Sequence, residues 1–473
     1  MENEEFRRHA HQFVDWMADY LSSVQDLPVR AQVAPGEIAG QLEAGPPSMP
    51  HSMDDIFEDF KNIVIPGMTH WQHPRFFAYF PANSSPPSVL AEMLTTTLAA
   101  QCMLWQTSPA AAEMETRMME WLGQMIGLGE GFHGVIQDSA SSASLCAILT
   151  ARELATDWQA NEKGLAAVGP LAVYVSEEAH TSIEKDVLVA GLGRSCLRKI
   201  PTDASYAMIT TELEAAIEAD IAAGVKPMAV VACLGTTSTG GTDPLKAIAD
   251  ICQRHGVFLH VDAAWAGSAL LLEECRSIID GIDYVDSFVF NPHKWMFTNF
   301  DCSAHFVRDP DALVRTLTIL PEFLKSPEGN AVIDYRDWSV PLGRRFRALK
   351  LWFVIRSYGV EGLKEKIRNH IAWSTELADI VAAEAEFEII APRVLSLFCF
   401  RYHPPGVDDE ASLKALNEKL VNTINDDGRL YLTQTMAKGQ YAIRFAIGQT
   451  STTRDDVMES WAVIKELAAN LSV

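Results

Sequence analysis

Lys294 stands in Asn291-Pro292-His293-Lys294-Trp295, directly after the apolar run Tyr284–Phe290. A lysine between histidine and tryptophan at the end of a buried strand is badly placed for solvent. Burial favours the neutral amine, and a neutral amine can form a Schiff base with a carbonyl; a lysine snorkelling to the surface is the alternative. Asp262 follows a second run, Val257–Val261, and precedes Ala263-Ala264-Trp265. A carboxylate there is costly unless a cation meets it, either a protonated ring nitrogen or an Arg or Lys of the chain. After Gly134–Gln137 comes Asp138-Ser139-Ala140-Ser141-Ser142-Ala143-Ser144, then an apolar helical stretch. Small residues at a helix N-terminus offer free N–H groups and a favourable dipole, a phosphate cradle without a Walker lysine. Plain serine N-capping would use the same residues. A loop of small residues, Leu234-Gly235-Thr236-Thr237-Ser238-Thr239-Gly240-Gly241, follows Met228–Cys233. His180 lies beyond Leu171–Ser176, where its imidazole can stack on a ring or sit as a satisfied core histidine. A phosphate, a ring nitrogen that wants a carboxylate and an aldehyde that wants a lysine belong together in one ligand, pyridoxal phosphate.

These residues need a scaffold that brings strand ends to one place. Five apolar runs in the middle of the chain, Gly134–Gln137, Leu171–Ser176, Met228–Cys233, Val257–Val261 and Tyr284–Phe290, alternate with helical patterns. That is the signature of an α/β domain with a mostly parallel sheet, in which ligands bind beyond the C-terminal ends of the strands. Before it, Phe6, Phe13, Val14, Met17, Ala18 and Leu21 recur at helical spacing, and a Pro/Gly-rich stretch follows. Residues 1–85 are therefore expected to form a helical arm whose apolar face a second subunit can cover. Residues 86–365 make the large domain. From 366 to 473 the pattern becomes that of a smaller α+β domain, with strands expected at Phe387–Ile390, Val394–Arg401 and Tyr441–Ile447 and helices at Asp409–Asn425 and Arg454–Leu471.

Composition excludes other classes. With 48% hydrophobic and 21% charged residues, the 473-residue chain is an ordinary globular protein rather than a low-complexity one. A formal charge of −24 argues against nucleic-acid and anionic-membrane partners. The eight cysteines are scattered without a C-x-x-C pair, as expected of reduced thiols in a cytoplasmic protein. The N-terminus lacks the apolar stretch of a signal peptide, and no run is long enough to suggest a membrane helix. Gly129-Glu130-Gly131-Phe132-His133-Gly134 fits G-x-G-x-x-G by letters, but it follows a helix and precedes a strand, the reverse of a dinucleotide fingerprint. His70 and His73 form a close pair without a carboxylate or thiol at metal spacing, so no metal is expected.

Asn291-Pro292-His293-Lys294-Trp295, His260-Val261-Asp262-Ala263-Ala264, Ser139-Ala140-Ser141 and Glu178-Ala179-His180 together resemble the group II pyridoxal-phosphate decarboxylases. Within that group the resemblance is to the aromatic L-amino-acid decarboxylases and aromatic acetaldehyde synthases. Thr69-His70-Trp71-Gln72-His73-Pro74, Phe76-Phe77-Ala78-Tyr79-Phe80-Pro81 and Pro341-Leu342-Gly343-Arg344-Arg345-Phe346-Arg347 extend it through most of the first 360 residues. The resemblance implies an aspartate-aminotransferase-like fold (fold type I of the pyridoxal-phosphate enzymes), assembled as a homodimer with sites at the interface. It implies that Lys294 carries the cofactor, Asp262 pairs with the ring nitrogen and His180 stacks on the ring. Ala140, Ser141, Asn291 and His293 would surround the phosphate, and Thr237 would lie near the ring and the substrate carboxylate. Trp71, Tyr79, Phe80, Pro81, Met103, Phe300 and Gly343 would border an aromatic side chain.

One position departs from the pattern. Relatives carry a tyrosine on a loop after the lysine, tied to protonation of the substrate Cα; counting from Lys294, that position falls on Phe323, in Pro321-Glu322-Phe323-Leu324-Lys325. Phenylalanine keeps the ring but has no O–H to give. The resemblance then implies decarboxylation followed by reaction with O2, giving an aromatic acetaldehyde. Release of the arylalkylamine is the alternative product, and an aminotransferase on the same fold is the alternative enzyme class.

Overall fold

The computed structural model describes residues 1–319 and 331–471. The chain forms two compact units, one of Ala82–Ser374 with Ala391–Phe398, the other of Met1–Pro81, Thr375–Ile390 and Cys399–Val473.

The larger unit is built on a seven-stranded sheet: β1 (His133–Gln137), β2 (Leu171–Ser176), β3 (Leu197–Ile200), β4 (Lys226–Cys233), β5 (Phe258–Asp262), β6 (Ser287–Phe290) and β7 (Ser303–Val307). Their order is β1-β7-β6-β5-β4-β2-β3. Neighbours from β3 to β6 are parallel, and β7 is antiparallel to both β6 and β1. Every residue of β2 and β6 is buried, as are the last six of β4. Strands covered on both faces must be apolar throughout, so these segments read as continuous runs rather than alternating ones. The helices Ala140–Ala155 and Thr181–Val189 cover one face, where Ile148, Ala151, Ile183 and Val187 pack on Val173, Val175 and Val231. Each such side chain contributes about 1.5–3 kcal/mol of burial. The two antiparallel pairings of β7 leave β1 running in the direction of β6. The C-termini of β1, β2, β4, β5 and β6 therefore share one edge of the sheet.

The sheet is thus largely parallel, as expected, with differences of detail. β3 and β7 are additional strands; each is only four or five residues long, too short for a distinctive pattern. The strand expected at Tyr284–Phe290 begins at Ser287, because Ile282–Tyr284 form a 3-10 turn and the Asp286 carboxylate accepts the Leu259 N–H (2.8 Å) ahead of the ladder. A buried ion pair ties the unit's helix Pro109–Ile126 to the segment after residue 340: Arg344 donates to Glu115, which also accepts the Ile136 N–H at 2.8 Å. Loss of either partner alone would strand a buried charge, a cost of about 3–5 kcal/mol.

In the smaller unit the helix Asn3–Ser23 packs Phe13 and Trp16 against Phe57 and Phe60, with the closest ring centroids 4.5 and 5.0 Å apart. The C-terminal sheet has the order β10-β11-β9-β8, from β8 (Phe387–Val394), β9 (Leu397–Tyr402), β10 (Thr433–Ala437) and β11 (Gln440–Ala446). Both strands expected here form, with a shifted boundary: the one expected at Phe387–Ile390 runs on through Val394, and the one expected at Val394–Arg401 begins at Leu397. Leu395 takes a left-handed φ of +49° and reverses the chain between β8 and β9. The two expected helices are Glu410–Asp427, capped by Asp409, and Arg454–Ala469, opened by a capping box between Thr453 and Asp456. The His70/His73 pair has protein partners: His70 Nδ1 meets the Tyr20 hydroxyl (2.8 Å), and His73 Nδ1 accepts the Arg75 N–H (2.9 Å). No disulfide joins the cysteines, and six of the eight are buried. Among the described residues, no helix is long and apolar enough to cross a membrane.

Candidate active site

At the shared edge of the sheet, a cavity is lined by residues that follow five of the strands: Ser139, Ala140 and Ser141 after β1, His180 and Ser182 after β2, Gly235, Thr236 and Thr237 after β4, Asp262, Ala264 and Trp265 at the end of β5, and Asn291 and Lys294 after β6. The walls are set by local structure. Ser139 is the N-cap of the helix Ala140–Ala155, and its Oγ accepts the Ser142 N–H at 3.2 Å. The cap satisfies the N3 amide and leaves the Ala140 and Ser141 amides, at N1 and N2, as the first-turn donors. Gly235 has φ +77°, and a Cβ there would stand 2.6 Å from the Ala266 Cβ, so the close turn after β4 requires glycine. Asn291 is fixed by the Ser303 hydroxyl, which donates to its Oδ1 at 2.7 Å and leaves the amide N–H2 as its free side.

Asp262 is 8% exposed. Its Oδ1 accepts the Ala264 N–H at 3.0 Å, and among the described residues it makes no salt bridge. Among the described residues, no Arg or Lys makes the structural ion pair that was the alternative. Lys294 sits in the single helical turn Pro292–Trp295. Asn83 donates to its carbonyl, and the next residue, Trp295, is fully buried with its Nε1–H donated to His370 Nδ1 at 2.9 Å. The lysine backbone is thus held from both sides while its side chain lines the cavity. His180 is the N-cap of the helix Thr181–Val189; its Nδ1 accepts the Ser182 N–H (3.2 Å) and the Ser182 hydroxyl (2.8 Å). With Nδ1 accepting, the proton of the neutral ring is on Nε2. Burial against the cavity walls lowers the His180 pKa; the Asp262 charge opposes that fall and the Lys294 charge adds to it.

The cavity therefore gathers Ala140, Ser141, His180, Thr237, Asp262, Asn291 and Lys294. His293 is not in its lining. Its Nδ1 accepts the Cys302 N–H at 2.9 Å and its ring lies 4.7 Å from that of Phe300, which is 60% exposed. Met103, Phe300 and Gly343 belong to the same unit but line no part of this cavity. Trp71, Tyr79, Phe80 and Pro81 belong to the smaller unit, where Trp71 stacks on Phe76 (4.4 Å) and on Tyr79 (5.8 Å). Phe323 lies outside the described residues. Ser182 and Trp265 were not anticipated as lining residues, although each stands within three residues of an anticipated one.

The donor set fits pyridoxal phosphate: helix N-terminal amides and serines for a dianion, a buried carboxylate without a cation for a ring nitrogen, a flanking imidazole, and an amine. A family model, the pyridoxal-dependent decarboxylase conserved domain, matches residues 35–403. The chain is 41% identical to tyrosine decarboxylase 4 of Petroselinum crispum, over 99% of this chain and 94% of that one. It is also 41% identical to the phenylacetaldehyde synthase of Arabidopsis thaliana, over 100% and 97% of the two chains. The structure of Oryza sativa TDC with PLP and tryptamine superposes with a TM-score of 0.96 at 35% identity, covering 99% of this chain and 98% of that one. By fold, cavity and these matches, the chain belongs to the pyridoxal-dependent decarboxylase family, in its group II aromatic-amino-acid branch, and its cofactor is pyridoxal 5′-phosphate.

Proposed function

We propose that this enzyme decarboxylates an aromatic L-amino acid and that, with Phe323 in place of a proton-donating tyrosine, much of its output is the aromatic acetaldehyde. The observation that carries the first half is the convergence of Lys294, Asp262, His180 and the Ala140/Ser141 amides on one cavity. When bound, pyridoxal phosphate supplies an electron sink for the pair left on Cα as CO2 departs. The chain's own residues do the rest. The Ala140 and Ser141 amides with Asn291 would hold the phosphate, Lys294 would be the amine that binds the aldehyde, and Asp262 would be the carboxylate that keeps a proton on the ring nitrogen. His180, whose Nδ1 is engaged by Ser182, would present Nε2–H to the cofactor ring, and Thr237 lines the same cavity.

The product depends on how quickly Cα regains a proton. Phe323 has no hydroxyl to give, so the proton must come from His180 or water, and O2 competes. Uptake of one O2 and one H2O per substrate then yields aldehyde, CO2, ammonia and H2O2, whereas protonation yields amine and CO2 alone. Phe323→Tyr is expected to move output toward the amine by an order of magnitude in the amine-to-aldehyde ratio, followed by peroxide, aldehyde and amine assays on one reaction. Amine as the sole wild-type product, without oxygen uptake, removes the aldehyde branch and leaves a simple decarboxylase. An aminotransferase would release a keto acid and no CO2.

A homodimer is part of this proposal. The helix Asn3–Ser23 leaves Phe6, Val14 and Leu21 exposed along one side, and the helix Pro86–Leu98 leaves Leu90, Leu94 and Leu98 exposed at i, i+4 and i+8. Apolar stripes of this kind mark association surfaces. Light scattering is expected to give twice the 52.2 kDa chain mass; a monomer at micromolar concentration would overturn the assembly.

A further inference from the structure

Asp186 takes no part in the chemistry above, yet its position is unusual. It lies on the helix Thr181–Val189 that His180 caps, and it is 4% exposed. Its Oδ2 is buried and has no hydrogen-bond partner. Ser182, four residues earlier, lines the active-site cavity. Side chains four apart share a helix face, so Asp186 sits one turn beneath the cavity wall. The same helix packs Ile183 and Val187 into the apolar cluster with Ile148, Ala151, Val173 and Val175. The ionisable groups that act on it are few. Cys146 approaches from the helix Ala140–Ala155, Asp262 from the end of β5 and Lys185 from its own helix. Tyr174 of β2 is committed to Asp220, to which it donates at 2.7 Å. Asp262 in turn is surrounded by His180, His260 and Cys233. A buried carboxyl oxygen without a donor is among the costlier features a fold can keep, and such a group avoids the cost by staying neutral.

We propose that Asp186 is a positioning residue for the cofactor: it holds a proton beneath the cavity, so that the two neighbouring carboxyls carry one negative charge and Asp262 is the anion that faces the ring nitrogen. Burial, and then the Asp262 charge, push the Asp186 pKa up to about 7, which is the behaviour of two carboxyls that cannot both ionise freely. As pH rises past neutrality, Asp186 loses its proton and a second negative charge appears behind Asp262. That charge strengthens the grip on the ring-nitrogen proton.

The charge state of Asp186 can be read with Asp186→Asn, which keeps the shape and cannot ionise. The folded-state pKa is raised above the unfolded value of about 3.9, so the wild type loses stability as pH rises between the two values and no further above the upper one. The melting temperature of the Asn apoprotein, relative to wild type, should therefore climb from pH 5.5 to about 7 and then level off. In the loaded enzyme, the cofactor's visible absorption band should show a step near neutral pH in wild type that the Asn variant lacks. Asp186→Ala should lack it too, which guards against a poorly folded Asn variant. A stability difference that does not vary with pH overturns the proposal. So does a spectral step that survives in the variants or is missing from wild type. A pH-dependent stability difference with unchanged spectra reduces Asp186 to a buried acid with no link to the cofactor. The inference rests on the assignment of Asp262, not on the amine or aldehyde outcome. Failure of that assignment would show separately, because Asp262→Asn alters the band itself whereas Asp186→Asn removes only its pH step.

Discussion

Lys294→Ala is expected to lower turnover by about 10³-fold or more, equivalent to roughly 4 kcal/mol of barrier. The reason is positional as well as chemical. Lys294 is the amine that lines the cavity, and its backbone is fixed by Asn83 at its own carbonyl and by the buried Trp295–His370 hydrogen bond at the next residue. Among the described residues no other lysine lines the cavity. The cofactor should still bind, because the amides of Ala140 and Ser141 do not depend on the lysine, but it should be lost on dialysis. Borohydride reduction followed by peptide mapping should find the reduced cofactor on Lys294 in wild type and on no residue in the variant. A small primary amine added to the variant should restore part of the activity. Reduced cofactor on another side chain, or a variant that keeps most of its turnover, would overturn the assignment.

Asp262→Asn is expected to cost about 10²–10³-fold in turnover while the cofactor stays attached to Lys294. Asparagine preserves the acceptor for the Ala264 N–H, so the turn after β5 should survive. What it removes is the anion. A buried carboxylate that makes no salt bridge among the described residues has its full effect on whatever cation enters the cavity, and a neutral amide cannot hold a proton on a ring nitrogen in the same way. A second consequence follows at His180, whose pKa the Asp262 charge raises. Without that charge the imidazole should titrate at lower pH, and any acid limb it contributes to the pH–rate profile should move down. Turnover within a few-fold of wild type, with an unmoved acid limb, would mean that Asp262 does not act electrostatically in this site.

Both residues are visible in the sequence for the same reason. A strand buried on both faces is a continuous apolar run, so a lysine or aspartate immediately after it is out of keeping with its setting. Val257–Val261 before Asp262 and Tyr284–Phe290 before Lys294 provide that contrast. The small-residue segments Ser139–Ser144 and Gly235–Gly241 are legible because a tight turn after a strand restricts the residue type, as the 2.6 Å approach at Gly235 illustrates. Ser182 and Asp186 show the limit. A serine and an aspartate in the opening turns of a helix are ordinary there, since both suit helix N-termini. Only the packing of the helix Thr181–Val189 on the sheet places one in the cavity wall and buries the other beneath it.

From residue types and periodicity came the α/β class, the mostly parallel sheet and the cofactor, and from the resemblance of short motifs came the family, because each depends on local pattern or on short segments read in order. The tertiary structure decided the strand order β1-β7-β6-β5-β4-β2-β3, the insertion of antiparallel β7 beside β1, and the Leu395 reversal that sets the boundary between β8 and β9. It also decided that Asp262 makes no salt bridge among the described residues, whereas the Asp262 charge acts on Asp186. Those outcomes depend on which distant segments meet. A carboxylate's charge state is set by its neighbours in space, and the order of residues along the chain does not specify them.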